Sequence, residues 1–337
     1  MAFQIGKIPS ESLENIVFRN LGIANNRLLV GPRIGEDAAV VRFSNKALVL
    51  TTDPITGTAS NIGWFSVHIN ANDVATFGAK PKWYLCSIML PKGSKEKVLR
   101  GIMKQIDYAC AELGVTVIGG HCEVTRFLKR PVLAGFMLGE TSLNRYVTSG
   151  GASEENVLML TKTVGIEGTA ILATDAESML KKHLKKEVIK RAQNLYKKIS
   201  IVKEALMAMD VGGVTAMHDP TEGGIICGIW ELAEASNLGV IVHADQIPIS
   251  SETNNVCKTL KIDPFRLMSS GSLLIAAKKS SVPKIIKGLS KKRILISVIG
   301  KFTEKKYGRK LLSIDGSYVK LKPPFPDDVY HVLSKLN

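Results

Sequence analysis

Ten residues, Gly31-Pro32-Arg33-Ile34-Gly35-Glu36-Asp37-Ala38-Ala39-Val40, constrain this chain more than any other stretch. They set glycines, two adjacent carboxylates and an apolar run end to end. Glycine lets a backbone take positive φ and approach a ligand closely. Glu36 and Asp37 then stand as hard oxygen donors at the mouth of a strand, where a divalent cation can meet a polyphosphate. A surface turn with a solvated acidic pair reads equally well from these residues alone. Recurrence shifts the balance, because three more acidic residues stand in similar settings downstream.

Ahead of this stretch, the spacing of Leu13, Ile16, Val17, Leu21 and Ile23 predicts an amphipathic helix over Ser10 to Arg27. After it, Ala38 to Phe43 and Ala47 to Asp53 read as two strands about the turn Ser44-Asn45-Lys46, and the second delivers Asp53 at its end. A helix follows from Ile62 to Phe77, with Gly78 suited to the left-handed cap and Pro81 blocking continuation. Asn70 and Asp73 share one face of it, and His68 and Asn72 form a neighbouring polar line. So many polar groups among Trp64, Phe65, Val67, Ile69 and Val74 require a partner for each. Asp73 is read as a ligand and His68 as a structural histidine.

Trp83 to Leu90 reads as a strand, Lys95 to Leu113 as an amphipathic helix closed by Gly114, and Val115 to Ile118 as a buried strand. That strand runs into Gly119-Gly120-His121-Cys122-Glu123. Three consecutive side chains rarely converge on one tetrahedral ion, so Glu123 is read as an oxygen ligand, His121 as a phosphate or water contact and Cys122 as a bystander. With Val132 to Leu138 as a further strand, the first domain has a β-α-β-β-α-β pattern. Thr148 to Ser153 is the linker candidate, giving domains 1–148 and 149–337. The second, an αβ domain, opens with the strand Asn156 to Lys162, then Gly165 to Gly168 leading a helix over Thr169 to Ala176 and a long basic helix over Glu187 to Met209. In His218-Asp219-Pro220-Thr221-Glu222-Gly223-Gly224 the glycines precede a helix from Ile225 to Ala235, a geometry suited to an anion. Helix capping explains Asp219, Thr221 and Glu222 equally well. Met268 to Ala276 is a small-residue turn feeding a strand, Pro323 to Pro326 is an extended tail, and a last short helix ends at Asn337.

Composition removes several classes of function. The 337 residues suit two domains. No apolar run approaches the roughly 20 residues of a membrane span, and no signal peptide is evident. Five cysteines without a C-x-x-C pair argue for a reducing cytoplasm rather than a disulfide framework or zinc ribbon. The net charge of +15 comes with lysine runs at 181–190 and 278–293 that lack interleaved aromatics, so they read as a solubilising face and not a nucleic-acid site. P-loop, dinucleotide, zinc-helix and nucleophile-elbow motifs are absent.

Five ordered stretches carry a resemblance: Gly35-Glu36-Asp37-Ala38-Ala39; Thr51-Thr52-Asp53; Asn70 to Ala75 with Gly78 to Pro81; Gly119-Gly120-His121; and Asp219 to Gly224. Together they resemble the PurM-like (AIR synthase-related) superfamily, which includes thiamine-monophosphate kinase, selenophosphate synthetase and the hydrogenase maturation factor HypE. Asp219-Pro220-Thr221 with Gly223-Gly224, and Ser269 to Leu274, look most like HypE. The resemblance implies an α+β, α/β two-domain fold whose N-terminal domain pairs across a homodimer into a barrel, with ATP between subunits. It implies Mg²⁺ on Asp37, Asp53 and Asp73; Glu123, read above as an oxygen ligand, is the candidate replacement for the family carboxylate missing at His121. Gly35, Thr52, Asn70, Gly119, Gly120, His121, Gly223 and Gly224 would bind the nucleotide, and Asp219, Thr221 and Glu222 would serve catalysis at the γ-phosphate or acceptor. Two departures stand out: Glu36 replaces the first aspartate of the usual Gly-Asp-Asp, and His121-Cys122 replaces Asp-Thr after Gly119-Gly120. HypE acts on its own C-terminal cysteine, whereas the last cysteine here is Cys257, and that thiol route is not expected. The expected function is Mg-ATP-dependent phosphoryl transfer or ATP-driven dehydration on an unknown acceptor. The alternatives are a nucleotide-binding accessory protein and a thiamine-monophosphate-kinase-like enzyme.

Overall fold

The computed structural model describes every residue except Met1, Ala2, Gln4, Gly57, Ala59, Ile314, 323–325 and Asn337, together with the side chain of Leu336. The expected extended tail therefore falls largely outside the described residues, as does the terminal Asn337.

The chain builds two sheets. The first has the order β1-β2-β3-β6-β4-β5, from Leu28–Val30, Ala39–Phe43, Lys46–Ile55, Lys80–Pro91 (β4), Thr116–Thr125 (β5) and Val132–Ser142 (β6). β6 is antiparallel to both β3 and β4, so β3, the helix after it and β4 form a β-α-β unit split by β6. β4 and β5 are parallel, joined by a helical crossover. After a short turn of helix, α1 (Ser10–Ser12), the helices of this half are α2 (Ile62–Thr76) and α3 (Glu96–Leu113).

α2 is the central element. Every residue in it except Trp64 is buried, because β3 and β6 cover one side and the second half of the chain covers the other. Gly78 ends it at φ +71°, as its sequence predicts. Its polar residues find distant partners. Asn72 donates to Ile199 O (2.9 Å) and Asp219 Oδ2 (3.0 Å) and accepts from Ile201 N (2.9 Å), while the Trp64 indole donates to Tyr196 O (3.1 Å).

The second sheet has the order β13-β12-β9-β11-β7-β10-β8. Its strands are Val157–Thr161 (β7), Val214–His218 (β8), Gly239–His243 (β9), Leu274–Ala277 (β10), Ile296–Thr303 (β11), Arg309–Leu312 (β12) and Tyr318–Lys320 (β13). Its helices are α4 (Ile166–Asp175), α5 (Glu177–Leu180), α6 (Lys186–Gln193), α7 (Val202–Val211), α8 (Gly224–Ala235), α9 (Ser251–Leu260), α10 (Val282–Lys291) and α11 (Asp328–Leu333). α7 packs on α2, joining the two halves.

Three expectations from sequence are corrected. The helix over Ser10 to Arg27 shrinks to α1 and one π-helical turn, Leu13–Val17. Ile16, Leu21 and Ile23 are exposed, and a short helix without a core to bury its face is not stable. The basic helix over Glu187 to Met209 breaks into α6, a 3₁₀ turn (Asn194–Lys198) and α7. The break is where Asn72 captures the carbonyl of Ile199 and the N–H of Ile201. Val117 and Ile118 are exposed, not buried, because β5 is an edge strand with β4 as its sheet neighbour. The linker candidate is also packed tightly: a Cβ on Gly151 would meet Thr215 O at 2.2 Å.

Candidate active site

The carboxylates gather where α2, the end of β3 and the loop after β8 meet. Asp73 is buried on α2, and the Thr51 hydroxyl lies 2.9 Å from its Oδ2 and 3.0 Å from the Asp37 carbonyl oxygen. One hydroxyl proton cannot serve two acceptors. Burial, then Asp53, Asp37 and Asp219, hold Asp73 well above the usual carboxyl range. Thr51 bridges the Asp73 carboxyl and the backbone of Asp37, donating to one of the two oxygens at a time. Asp53 is raised to about 6, by burial first and by Asp37 and Glu222, with Lys7 opposing. Asp219 is raised to about 7 by burial and Asp37, while the Asn72 amide favours its charged form.

A cationic network adjoins these acids. His218 Nδ1 lies 2.8 Å from Asp37 Oδ1 and its Nε2 lies 3.1 Å from Glu231 Oε2. Burial alone would lower His218, but the two carboxylates outweigh it and hold it at about 10. Lys7 reaches in from the N-terminal segment, with its ammonium 3.3 Å from Glu231 Oε1 and its backbone N–H donating to Glu222 Oε2 at 3.0 Å. Burial opposes the Glu231 charge, yet Lys7 and His218 hold it down at about 2.

Not every expected residue faces open space. Asn70 accepts from Asp53 N (2.9 Å) and donates to Asp53 O (3.2 Å) and Ser66 O (2.8 Å), so it fixes the backbone that carries Asp53. Gly35, at φ +82°, lets the chain pass α8, where a Cβ would meet Glu231 O at 2.7 Å. Glu36 accepts from Ser149 N at 3.1 Å and ties the halves together. The anion at the Gly223-Gly224 turn is the chain's own: Gly223 N donates to Asp327 Oδ2 at 2.8 Å. Glu222 accepts from the Tyr330 hydroxyl at 2.5 Å. With Thr221 and Asp53 it lines a cavity of about 350 Å³.

The helix-free face of the first sheet carries two adjoining hollows. One is lined by Asp37 and Thr52, the other by Gly120 and His121, and both share Leu50, Thr51 and Phe136. Gly119 precedes them on β5. Glu123 does not join the aspartates within one chain. Asp53 pairs across β6 and β4 with the row of Gly120, three strand spacings or ~14 Å away, and Glu123 lies further along β5, 3.6 Å from His121.

Among the described residues no three His, Cys, Asp or Glu side chains converge as a ready-made metal cage. The donors nevertheless fit magnesium. They are hard oxygens, and Asp37 Oδ2 and Asp219 Oδ1 are buried without a hydrogen-bond partner among the described residues. Magnesium is held by one or two carboxylates with phosphate oxygens and water completing its shell, so a full protein cage is not required.

Lys7, Glu231, Glu167, Asp327 and Tyr330 escaped the sequence reading. Glu231 carried the one usable signal, an acid inside the apolar run Ile229-Trp230-Glu231-Leu232-Ala233.

Residues 35–141 match the AIR synthase related protein N-terminal domain, and residues 153–311 match its C-terminal domain. The chain belongs to the AIR synthase-related family. Its relatives include a putative hydrogenase expression/formation protein of Methanocaldococcus jannaschii, 26% identical over 286 residues and 83% of each chain. Carbamoyl dehydratase HypE of Cupriavidus necator is 28% identical over 72% of this chain and 69% of its own. Thiamine-monophosphate kinase of Pyrococcus horikoshii is 27% identical over 69% and 72%. Two solved structures share the fold. The HypE–HypF complex aligns with a TM-score of 0.77 at 21% identity, covering 93% of this chain and 100% of that chain. HypE in complex with ATP aligns with a TM-score of 0.71 at 19% identity, covering 95% and 93%. The fold is thus the two-domain PurM-like α+β architecture that the ordered motifs imply.

Proposed function

We propose that this family member is an ATP- and magnesium-dependent enzyme that transfers or activates with the γ-phosphoryl group of ATP. The observation that carries this reading is the cluster of buried Asp73 and Asp219 with half-buried Asp37 and Asp53, with two carboxyl oxygens unpartnered among the described residues and three raised carboxyl groups. Such a cluster is costly without a cation, and perturbed carboxyls beside a cavity mark functional sites. Phosphoryl transfer needs chiefly positioning and charge neutralisation. Asp37, Asp53 and Asp73 would hold magnesium, which neutralises phosphate charge when bound. Thr52, Gly120 and His121 would line the nucleotide on the helix-free face. Asp219, above its usual range, would exchange a proton with the acceptor in the cavity beside Thr221 and Glu222. The relatives named for carbamoyl dehydration and for thiamine monophosphate phosphorylation, and the ATP-bound neighbour, support an ATP-using reaction.

The exposed β5 and the apolar residues Leu50, Leu85 and Phe136 support pairing of two copies through this face, as a cytoplasmic homodimer. A ligand role for Glu123 requires that second copy. Among the described residues no helix is long and apolar enough to cross a membrane.

The test is ADP formation from Mg-ATP in the presence of a panel of small acceptors. Magnesium-dependent turnover abolished by Asp53→Asn supports the enzyme. Nucleotide binding with no turnover on any acceptor favours the accessory role instead.

A further inference from the structure

We propose that Lys7 is the clamp on the transferring phosphoryl group, the side chain that meets its oxygens on the acceptor side of the carboxylate cluster. The inference rests on the proposed function and adds a contact residue that none of the ordered motifs contains.

Asp53 lines the cavity beside Thr221 and Glu222, so a phosphoryl group leaving a nucleotide held at Asp37, Asp53 and Asp73 enters this space. The other charged residues of the lining are Glu167, Glu222 and Lys7, which makes Lys7 its one cation among the described residues. Phosphoryl transfer spreads negative charge over the phosphoryl oxygens, and cations aimed at them are a large part of what a protein contributes. The carboxylates of the lining repel that charge; magnesium and an ammonium offset them. In the proposed transfer the bond from the γ-phosphorus to the bridging oxygen of ADP breaks and a bond to an acceptor oxygen forms. The acceptor's proton passes to Asp219, and Lys7 stays an ammonium throughout.

The ammonium is moored and still has donors to give. The Lys7 backbone N–H donates to Glu222 Oε2 at 3.0 Å, and Glu222 Oε1 accepts from the Tyr330 hydroxyl at 2.5 Å. A Cβ on Gly6 would lie 3.4 Å from the same carboxylate and 3.8 Å from the Tyr330 ring, so the main chain rests directly on both. Lys7 Nζ is 3.3 Å from Glu231 Oε1, its one acceptor among the described residues. An ammonium carries three donors, which leaves two for a ligand. The Lys7 side chain is 41% exposed, so those two are not sealed in. Glu231, for its part, does not depend on Lys7. Its other oxygen, Oε2, keeps His218 Nε2 at 3.1 Å. Removing the only partner of a buried charge is costly, but a turn of Lys7 toward a phosphate leaves Glu231 with its second cation.

Titration calorimetry of the full-length protein with Mg-AMPPNP and with Mg-ADP, repeated on Lys7→Met and Lys7→Arg, tests the assignment. The two nucleotides differ by the γ-phosphoryl group, and methionine keeps an unbranched stem without the charge. Lys7→Met should weaken Mg-AMPPNP by at least about tenfold, the loss of a charged contact, and Mg-ADP by less than about twofold. Lys7→Arg should hold Mg-AMPPNP within about threefold of the unaltered protein. Lys7→Gln, polar at this half-exposed position, takes the place of Lys7→Met should that variant not fold. Equal weakening of both nucleotides would mean that Lys7 serves only the packing around Glu231. That result would overturn the proposal, as would unchanged binding of both nucleotides or a Lys7→Arg variant no better than Lys7→Met. The unaltered protein separates this inference from the reading beneath it. If it binds Mg-AMPPNP and Lys7→Met binds it equally well, the Lys7 assignment alone falls; if it binds neither nucleotide, the ATP reading falls and takes the clamp with it.

Discussion

Replacing Asn72 by alanine removes the side chain that couples the two halves of the molecule at the candidate site. Asn72 is fully buried and makes three hydrogen bonds, all to the second half: to Ile199 O, to Asp219 Oδ2 and from Ile201 N. The variant leaves a backbone carbonyl, a backbone N–H and a carboxyl oxygen without partners in a buried place. Each such group costs about 1–3 kcal/mol. Water entering the vacated space recovers part of that, so the expected loss is about 3 kcal/mol. Urea unfolding followed by tryptophan fluorescence reads this as a lower midpoint at unchanged slope. The same substitution removes an amide that favours the charged form of Asp219, so that carboxyl should rise further above about 7. Asn72→Asp sharpens the test. The introduced carboxyl faces Asp219 and, when ionised, loses both donors, so this variant should be less stable than Asn72→Ala at pH 8 and should recover at pH 5. A loss below about 0.5 kcal/mol for Asn72→Ala, the range of ordinary surface substitutions, would refute this account of the coupling.

The remaining predictions concern the charge network and close packing. Burial raises Asp53 to about 6, Asp219 to about 7 and Glu167 to about 8, so the folded state binds more protons than the unfolded chain above the ordinary carboxyl range. Metal-free stability should therefore fall as pH climbs from about 4 to about 8. His218, held at about 10 although burial opposes it, loses its contribution as pH rises above the ordinary histidine range and adds to the fall. Magnesium should stabilise more at pH 8 than at pH 5; thermal melts that stay flat or rise with pH contradict this. Gly35→Ala should cost about 2 kcal/mol or more in urea unfolding, because a Cβ meets Glu231 O at 2.7 Å and the backbone is at φ +82°. A cost under about 0.5 kcal/mol would mean that α8 can move away. His68 is buried, its pKa lowered to about 3 by burial and then Lys162, and neither ring nitrogen has a hydrogen bond among the described residues. His68→Phe should leave stability unchanged or raise it by about 1 kcal/mol, and a loss above about 2 kcal/mol would reveal a bond the ring depends on.

How much of this could be read from the chain depends on the range of each signal. α2 was legible because its boundaries are local: Gly78 takes the left-handed cap and Pro81 follows it. The need for partners for Asn70, Asn72 and Asp73 was legible too, as a consequence of polar residues in an apolar helix. Their identities were not. Ile199 and Asp219 lie well over a hundred residues away, and no periodicity encodes a contact between two halves. The Gly223-Gly224 turn was read as a seat for a ligand's anion, and the carboxylate that Gly223 N meets is Asp327, 104 residues further on. Gly119-Gly120 looked like the end of a strand, whereas β5 runs straight through to Thr125. Gly120 is there because a Cβ would meet Cys86 O at 2.2 Å. Lys7 gave no signal at all: one lysine in a short N-terminal segment acquires meaning only when Glu231 and Glu222 are folded against it.

The central claim is that the clustered aspartates are a magnesium–nucleotide site. Isothermal titration with AMPPNP, with and without Mg²⁺, on the unaltered protein and on Asp53→Asn tests it most directly. Magnesium-dependent binding that is lost in Asp53→Asn is the predicted result. Binding that is absent in every condition, or that is the same with and without Mg²⁺ in both proteins, would contradict it.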